Sequence, residues 1–255
     1  MPLFRNGRTR SVPAQPRDTC AGGRRCHSRV NTLKQQEPVY IFHHIPKCGG
    51  TSMRAAFGEW FPIIEDYRPE WADGTALEQF RARTVDPERI KPGAMICGHF
   101  EVDGVYLEQR YPQAIEAPGF RLITFVREPL QLRLSLLRFE IMHDRIARAP
   151  LEDLLLGRPN WISKRFPLAE ENLEQVLDRY FFIGLTEHSS AGFDVLADLI
   201  GKPRLNLPIK NRSKPAQLPV SPELERAFRE THALDYRLYQ HCRDRWEQAQ
   251  SRTRP

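Results

Sequence analysis

Val39-Tyr40-Ile41-Phe42-His43-His44-Ile45-Pro46-Lys47-Cys48-Gly49-Gly50-Thr51-Ser52 decides the fold of this chain. Val39 to Phe42 is a β-branched and aromatic run of the kind that forms a buried strand, and His43-His44-Ile45 continues it. Pro46 to Gly50 breaks the run. Thr51 to Phe61 then reads as a helix, because Met53, Ala56, Phe57 and Trp60 recur at i, i+3, i+4 and i+7. The glycine turn between strand and helix has the chemistry of a phosphate cradle. Gly49 and Gly50 let backbone N–H groups approach an anion closely. Thr51 and Ser52 add hydroxyl donors, the helix start adds partial positive charge, and Lys47 supplies a full one. A Walker A loop places its Lys after the second glycine and directly before Ser or Thr; here Lys47 precedes both glycines. The competing reading is a tight turn that happens to contain a lysine.

Further strands are expected at Ala94 to Cys97, stopped by Gly98, at Phe120 to Val126, and at Tyr180 to Leu185. Helices are expected at 75–83, at 129–148 with Pro129 in the tolerant first turn, and at 189–200, 222–228 and 233–246. Residues 62–93 are otherwise mixed. Residues 149–179 read as helix broken by Pro150, Pro159 and Pro167, and 202–220 as a loop rich in proline and lysine. Strands alternating with helices predict an α/β fold, a central parallel sheet flanked by helices and P-loop-like in its first turn.

The length, 255 residues, suits one domain with an extension. Hydrophobic residues at 40% and charged residues at 27% are enough for a real core. The net charge of +6 sits in one place. Residues 1–37 hold eight basic side chains and two acidic ones, and the rest of the chain is balanced. A nucleic-acid reader carries its basic footprint on the folded domain, so nucleic acid is not an expected partner. The tail, polar and aperiodic, is expected to be disordered, as is 248–255, leaving 38–247 as the domain. Its Arg-rich, acid-poor character is that of a transit peptide, but its prolines and glycines interrupt an amphipathic helix. No apolar stretch reaches the roughly 18 residues of a spanning helix, and no secretory h-region is present. Cys20, Cys26, Cys48, Cys97 and Cys242 are odd in number and scattered, a pattern of free thiols rather than of disulfides or a zinc site. The expected setting is cytoplasmic.

A second anion site is expected at the end of the third strand. Arg127 can form a bidentate fork on a phosphate, and Ser135, eight residues on, falls about two helical turns later and can offer a hydroxyl to the same side. Each has a plainer reading, Arg127 as the partner of Glu128 or another acid and Ser135 as a packing serine.

Together these residues resemble the PAPS-dependent carbohydrate sulfotransferases related to heparan sulfate 2-O-sulfotransferase. Ile45-Pro46-Lys47-Cys48-Gly49-Gly50-Thr51-Ser52 is similar to their 5′-phosphosulfate loop, with Cys48 where Thr is common, and Phe125-Val126-Arg127-Glu128-Pro129 with Ser135 to their 3′-phosphate motif. Phe182-Ile183-Gly184-Leu185-Thr186-Glu187 and Asp235-Tyr236 with Tyr239 are similar to later stretches of the family, so the likeness spans about residues 39–242. The resemblance implies a sulfotransferase fold, PAPS (3′-phosphoadenosine 5′-phosphosulfate) as sulfuryl donor, no metal, and a hydroxyl acceptor, expected to be a glycan or glycolipid. Lys47 would stabilise the bridging oxygen, the backbone of Cys48, Gly49 and Gly50 with Thr51 and Ser52 would hold the 5′-phosphate, and Arg127 and Ser135 the 3′-phosphate. His99, after Gly98 at the second strand's end, would be the general base, a task that an imidazole's ordinary pKa near 6.5 suits. Glu101 and Asp103 stand in reserve.

Several residues keep two readings. Arg212, within Lys210-Asn211-Arg212-Ser213-Lys214, can close over the nucleotide or belong to a solvated charge run. Asn160 to Arg165 lies where the family places acceptor contacts. His43 and His44 fall on opposite faces by strand period and read as packing groups. The family's animal members are usually Golgi proteins with a membrane anchor; with none read in this sequence, the resemblance leads to the expectation of a soluble bacterial enzyme. Rival functions are a P-loop-like nucleotide kinase, which calls for Mg²⁺-binding acids at a strand end, and a non-catalytic nucleotide-binding relative.

Overall fold

The computed structural model places the Val39 strand at the centre of a five-stranded sheet. The structure describes residues 37–68, 74–82, 86, 89–101, 105–112, 115, 117–146, 149–166, 168–207 and 218–253. The strands are β1 (Val39–His43), β2 (Ile63–Asp66), β3 (Met95–Gly98), β4 (Phe120–Val126) and β5 (Tyr180–Leu185), in the order β2-β3-β1-β4-β5. Every neighbouring pair is parallel, and all five residues of β1 are buried, as a strand covered on both faces requires. The helices are α1 (Gly50–Phe57), α2 (Gly74–Ala82), α3 (Leu107–Arg110), α4 (Pro129–Met142), α5 (Leu151–Leu156), α6 (Leu173–Asp178), α7 (Ser189–Ile200), α8 (Pro222–Thr231) and α9 (Ala233–Thr253). The molecule is therefore an α/β fold with an all-parallel central sheet flanked by helices.

Period-two alternation divides the core. Tyr40 and Phe42 of β1 join Ile123 and Phe125 of β4 beneath α1 and α7, where Trp60 stacks on Phe193 at 4.5 Å. Val39 and Ile41 point the other way, with Ile96, Leu122, Phe100 and Tyr111. Register then fixes the site. His43 pairs with Gly98 on one side and with Thr124 on the other, so the segments that follow β1, β3 and β4 leave the sheet close to one level. In open α/β sheets that is where ligands bind.

β2 was not expected from the sequence. Only Ile63 and Ile64 carry strand character, and Glu65-Asp66 reads as polar. Asp66 is buried because Arg110 donates to it from Nε and Nη2 at 2.8 and 2.9 Å and the Tyr111 hydroxyl donates at 2.7 Å, partners 44 and 45 residues away. α1 ends at Phe57 rather than 61, yet Trp60 stays packed and its indole N–H donates to the Pro203 carbonyl at 3.0 Å. α4 stops at Met142, six residues short of its expected end, and Asp144 enters the left-handed region at φ 51°. Residues 149–179 hold two short helices and a 3₁₀ turn, Ser163–Arg165. α9 continues to Thr253, through most of the segment expected to be disordered.

Candidate functional site

The loop between β1 and α1 reverses direction through two left-handed residues. Gly49 caps α1 at φ 77°, a conformation glycine adopts without a Cβ penalty. Lys47 adopts φ 68°, which is uncommon for a residue with a side chain and marks a position held by its surroundings. Part of that hold is Arg127, whose Nη1 donates to the Lys47 carbonyl at 3.2 Å. Thus the end of β4 braces the loop after β1, and the two expected anion-binding residues are joined directly. The Lys47 ammonium lies 4.5 Å from the Phe139 ring centroid. Burial, and then the charge of Arg127, lower its pKa from the ordinary lysine value. An anion placed here would relieve both penalties.

Phe139 stands one turn after Ser135 on α4, so both occupy the face that meets Lys47. Ser135 is half-buried. Thr51 is exposed and Ser52 half-buried at the start of α1. Cys48 is 1% exposed and packs against an apolar cluster that includes Val126, Leu132 and Leu185. Burial pushes its thiol up to about 12, which opposes any activation by the helix terminus. Arg212, with Lys210 and Lys214, lies outside the described residues, as does Asp103.

His99 follows β3 and is half-buried. Its Nδ1 lies 2.7 Å from the His44 carbonyl oxygen. A carbonyl only accepts, so in the neutral ring Nδ1 carries the proton and Nε2 the lone pair. That is the tautomer a general base needs. Glu101, two residues on, accepts from Arg165 Nη2 at 2.5 Å, and Arg165 is itself buried against the Trp161 ring, 3.2 Å from its centroid. The reserve carboxylate is therefore engaged.

His43 and His44 do point to opposite faces. His43 is bonded to the Tyr180 hydroxyl at 2.8 Å and sits among Phe100 and Phe166; His44 stacks on Phe42 and lies 4.5 Å from the His99 ring. Burial lowers the His43 pKa to about 3, with Arg165 and His99 adding to the effect, and burial first of all holds His44 well below its ordinary value. Both are neutral in the folded chain. Below pH 6.5 the unfolded chain takes up protons there and the folded chain does not. Their contribution to stability is thus complete above pH 6.5 and falls as the pH drops below it. Urea unfolding between pH 7.5 and 5 should show a loss of about 1.4 kcal/mol per pH unit for each such histidine well below pH 6.5; a flat profile would contradict the neutral assignment.

Asn160 to Arg165, matched above to acceptor contacts, has a structural task. Asn160 Oδ1 accepts from the N–H groups of Leu234 and Asp235 at 3.2 and 3.4 Å, capping α9 from a distant loop. The Asp235 carboxylate in return accepts from the backbone N–H groups of Ile162 and Ser163 and from the Ser163 hydroxyl, at 3.1, 2.7 and 2.6 Å. One turn into α9, the Tyr236 hydroxyl donates to Glu128 at 2.8 Å, and Glu128 caps α4 through Gln131 N–H at 2.7 Å. The C-terminal helix is tied in this way to the turn that carries Arg127. Sequence reasoning missed these roles, because the partners are about 70 to 110 residues apart.

Among the described residues no group of three or more His, Cys, Asp or Glu is arranged to hold a metal ion, and no helix is long and apolar enough to cross a membrane. No protein-family model matches the sequence, and no curated protein matches it. Among solved structures the chain is similar to a sulfotransferase from Alicyclobacillus acidocaldarius, with a TM-score of 0.46 and 14% identity over 81% of this chain and 96% of that one.

Proposed function

We propose that this protein is a sulfotransferase that moves a sulfuryl group from PAPS to a hydroxyl acceptor, with a sugar hydroxyl as the expected class. The observation that carries the reading is the meeting of three strand ends. The loop with Lys47 follows β1, Arg127 follows β4 and bonds that loop, and His99 follows β3 and bonds His44 of the same loop. Two cationic centres suit a ligand with an anion at each end of its ribose. An imidazole ordered by the His44 carbonyl, with its proton on Nδ1 and its lone pair on Nε2, suits a hydroxyl nucleophile.

PAPS, when bound, supplies the activated sulfuryl group. The backbone N–H groups at the start of α1, with Thr51 and Ser52, bind the 5′-phosphate, and Arg127 and Ser135 bind the 3′-phosphate. Lys47, which lies 4.5 Å from the Phe139 ring centroid, would neutralise charge developing on the bridging oxygen, a preorganised electrostatic role. His99 Nε2 takes the acceptor's proton. The remaining demand on the protein is alignment of the two partners. Kinase chemistry has less support, since Asp66, the carboxylate at the end of β2, is closed by Arg110 and Tyr111.

Thermal unfolding with PAP (adenosine 3′,5′-bisphosphate), ADP–Mg²⁺ and ATP–Mg²⁺ in parallel tests the reading. Ligand at about a hundredfold its Kd adds roughly 2.7 kcal/mol, on the order of 5–10 °C for a domain of this size. A shift with PAP and not with ADP or ATP is the expected result. A shift with ADP or ATP alone would overturn it in favour of phosphoryl transfer.

A further inference from the structure

The side chain of His44 has no part in the chemistry above, yet it is clamped between the two halves of the site. On one side its ring lies against Gly50: a Cβ at that position would stand 1.9 Å from both Cδ2 and Nε2 of His44. Its centroid is also 4.5 Å from that of His99. Nδ1 is bonded to the Tyr67 hydroxyl at 3.0 Å, and the Tyr67 ring meets His99 edge-on at 4.9 Å. Phe42 stacks on the remaining face, with the two planes 6° apart. The backbone completes the joint. His44 N–H donates to the Gly98 carbonyl at 2.9 Å, and the His44 carbonyl accepts from His99.

We infer that His44 is a positioning residue. Its ring is the spacer that sets His99 against the donor loop, and Tyr67 locks that spacer in place. The inference rests on the proposed function for its purpose, and on packing alone for its geometry. A ring packed against Gly50, His99, Tyr67 and Phe42 cannot shift far without moving Gly50 or His99, because packed interiors transmit displacement. This also explains why the second glycine of the loop must lack a side chain. Any Cβ at Gly50 displaces the spacer.

Two readouts test it. The first is the ¹⁵N spectrum of the histidine rings, with the His99 signals identified by their loss in His99→Gln. In the parent chain at pH 7.5 His99 should show the Nδ1–H tautomer. In His44→Ala that signature should give way to averaging of the two tautomers, while His44→Phe, which refills the space with a flat ring, should retain it. The second is PAP affinity by calorimetric titration. Gly50→Ala should weaken PAP by about tenfold or more, and adding His44→Ala should bring it back to within about threefold of the parent, since neighbours in contact are not additive. Gly50→Ala alone should also move the His99 resonances, although it lies on the far side of His44. An unchanged His99 spectrum in both His44→Ala and Gly50→Ala would overturn the inference, and so would a double variant no better than Gly50→Ala. Failure of the parent to bind PAP would overturn the proposed function instead, leaving the histidine spectra to judge the spacer.

Discussion

His99→Ala is expected to lower sulfuryl-transfer turnover about 10²–10⁴-fold, the usual worth of a positioned general base, with PAP affinity close to that of the parent. The split follows from the geometry. His99 bonds the backbone of His44, while the Arg127 side chain bonds the Lys47 carbonyl, so loss of His99 should leave that brace in place. Among the described residues the neighbouring candidates are committed elsewhere. Glu101 is paired with Arg165, and His44 is half-buried and held neutral by its surroundings. Turnover equal to the parent, measured with an acceptor on which the parent is active, would remove His99 from the base role.

Asp66→Ala should produce the largest loss of stability. The carboxylate is fully buried, and the Arg110 side chain paired with it is 5% exposed. Removing it takes both carboxylate bonds from the Arg110 guanidinium, which keeps its bond to the Phe80 carbonyl at 3.1 Å and its contact with the Phe80 ring, and it removes the carboxylate to which the Tyr111 hydroxyl donates. Breaking a buried pair from one side costs about 3–5 kcal/mol, roughly 6–20 °C in Tm at 2–4 °C per kcal/mol. An apolar pair of similar volume, Asp66→Leu with Arg110→Met, should recover most of this, because the desolvation penalty disappears with both charges. Thermal unfolding of the three proteins checks the point. A single variant within about 1 kcal/mol of the parent would show that the pair does not hold β2 to the sheet.

What the sequence made legible was local. Val39 to Phe42, Phe120 to Val126 and Tyr180 to Leu185 announce buried strands because a parallel strand covered on both faces is apolar throughout. The Pro46 to Ser52 turn announces a helix start because glycine and hydroxyl residues are needed there. What stayed hidden depends on distant partners. Glu65-Asp66 looks like loop until Arg110 and Tyr111 stand beside it. Asn160 and Ser163 look like contacts for a ligand until α9 is in place to be capped. Nothing in the sequence marks Lys47 for a left-handed backbone, since that conformation is supported by an arginine 80 residues on. Nor does it show that His44 fills the space against Gly50, although the strand period does put His43 and His44 on opposite faces.

In the proposed function the loop after β1 and Arg127 after β4 form one site for a nucleotide with phosphates at both 3′ and 5′ positions. Calorimetric titration of the full chain with PAP and with AMP, which lacks the 3′-phosphate, tests it most directly when repeated on Arg127→Ala. The parent should prefer PAP over AMP, and Arg127→Ala should erase most of the preference, a loss of about tenfold or more for a charge-assisted contact worth roughly 1.5–3 kcal/mol. Equal affinity of the parent for PAP and AMP, or a preference untouched in Arg127→Ala, would contradict it.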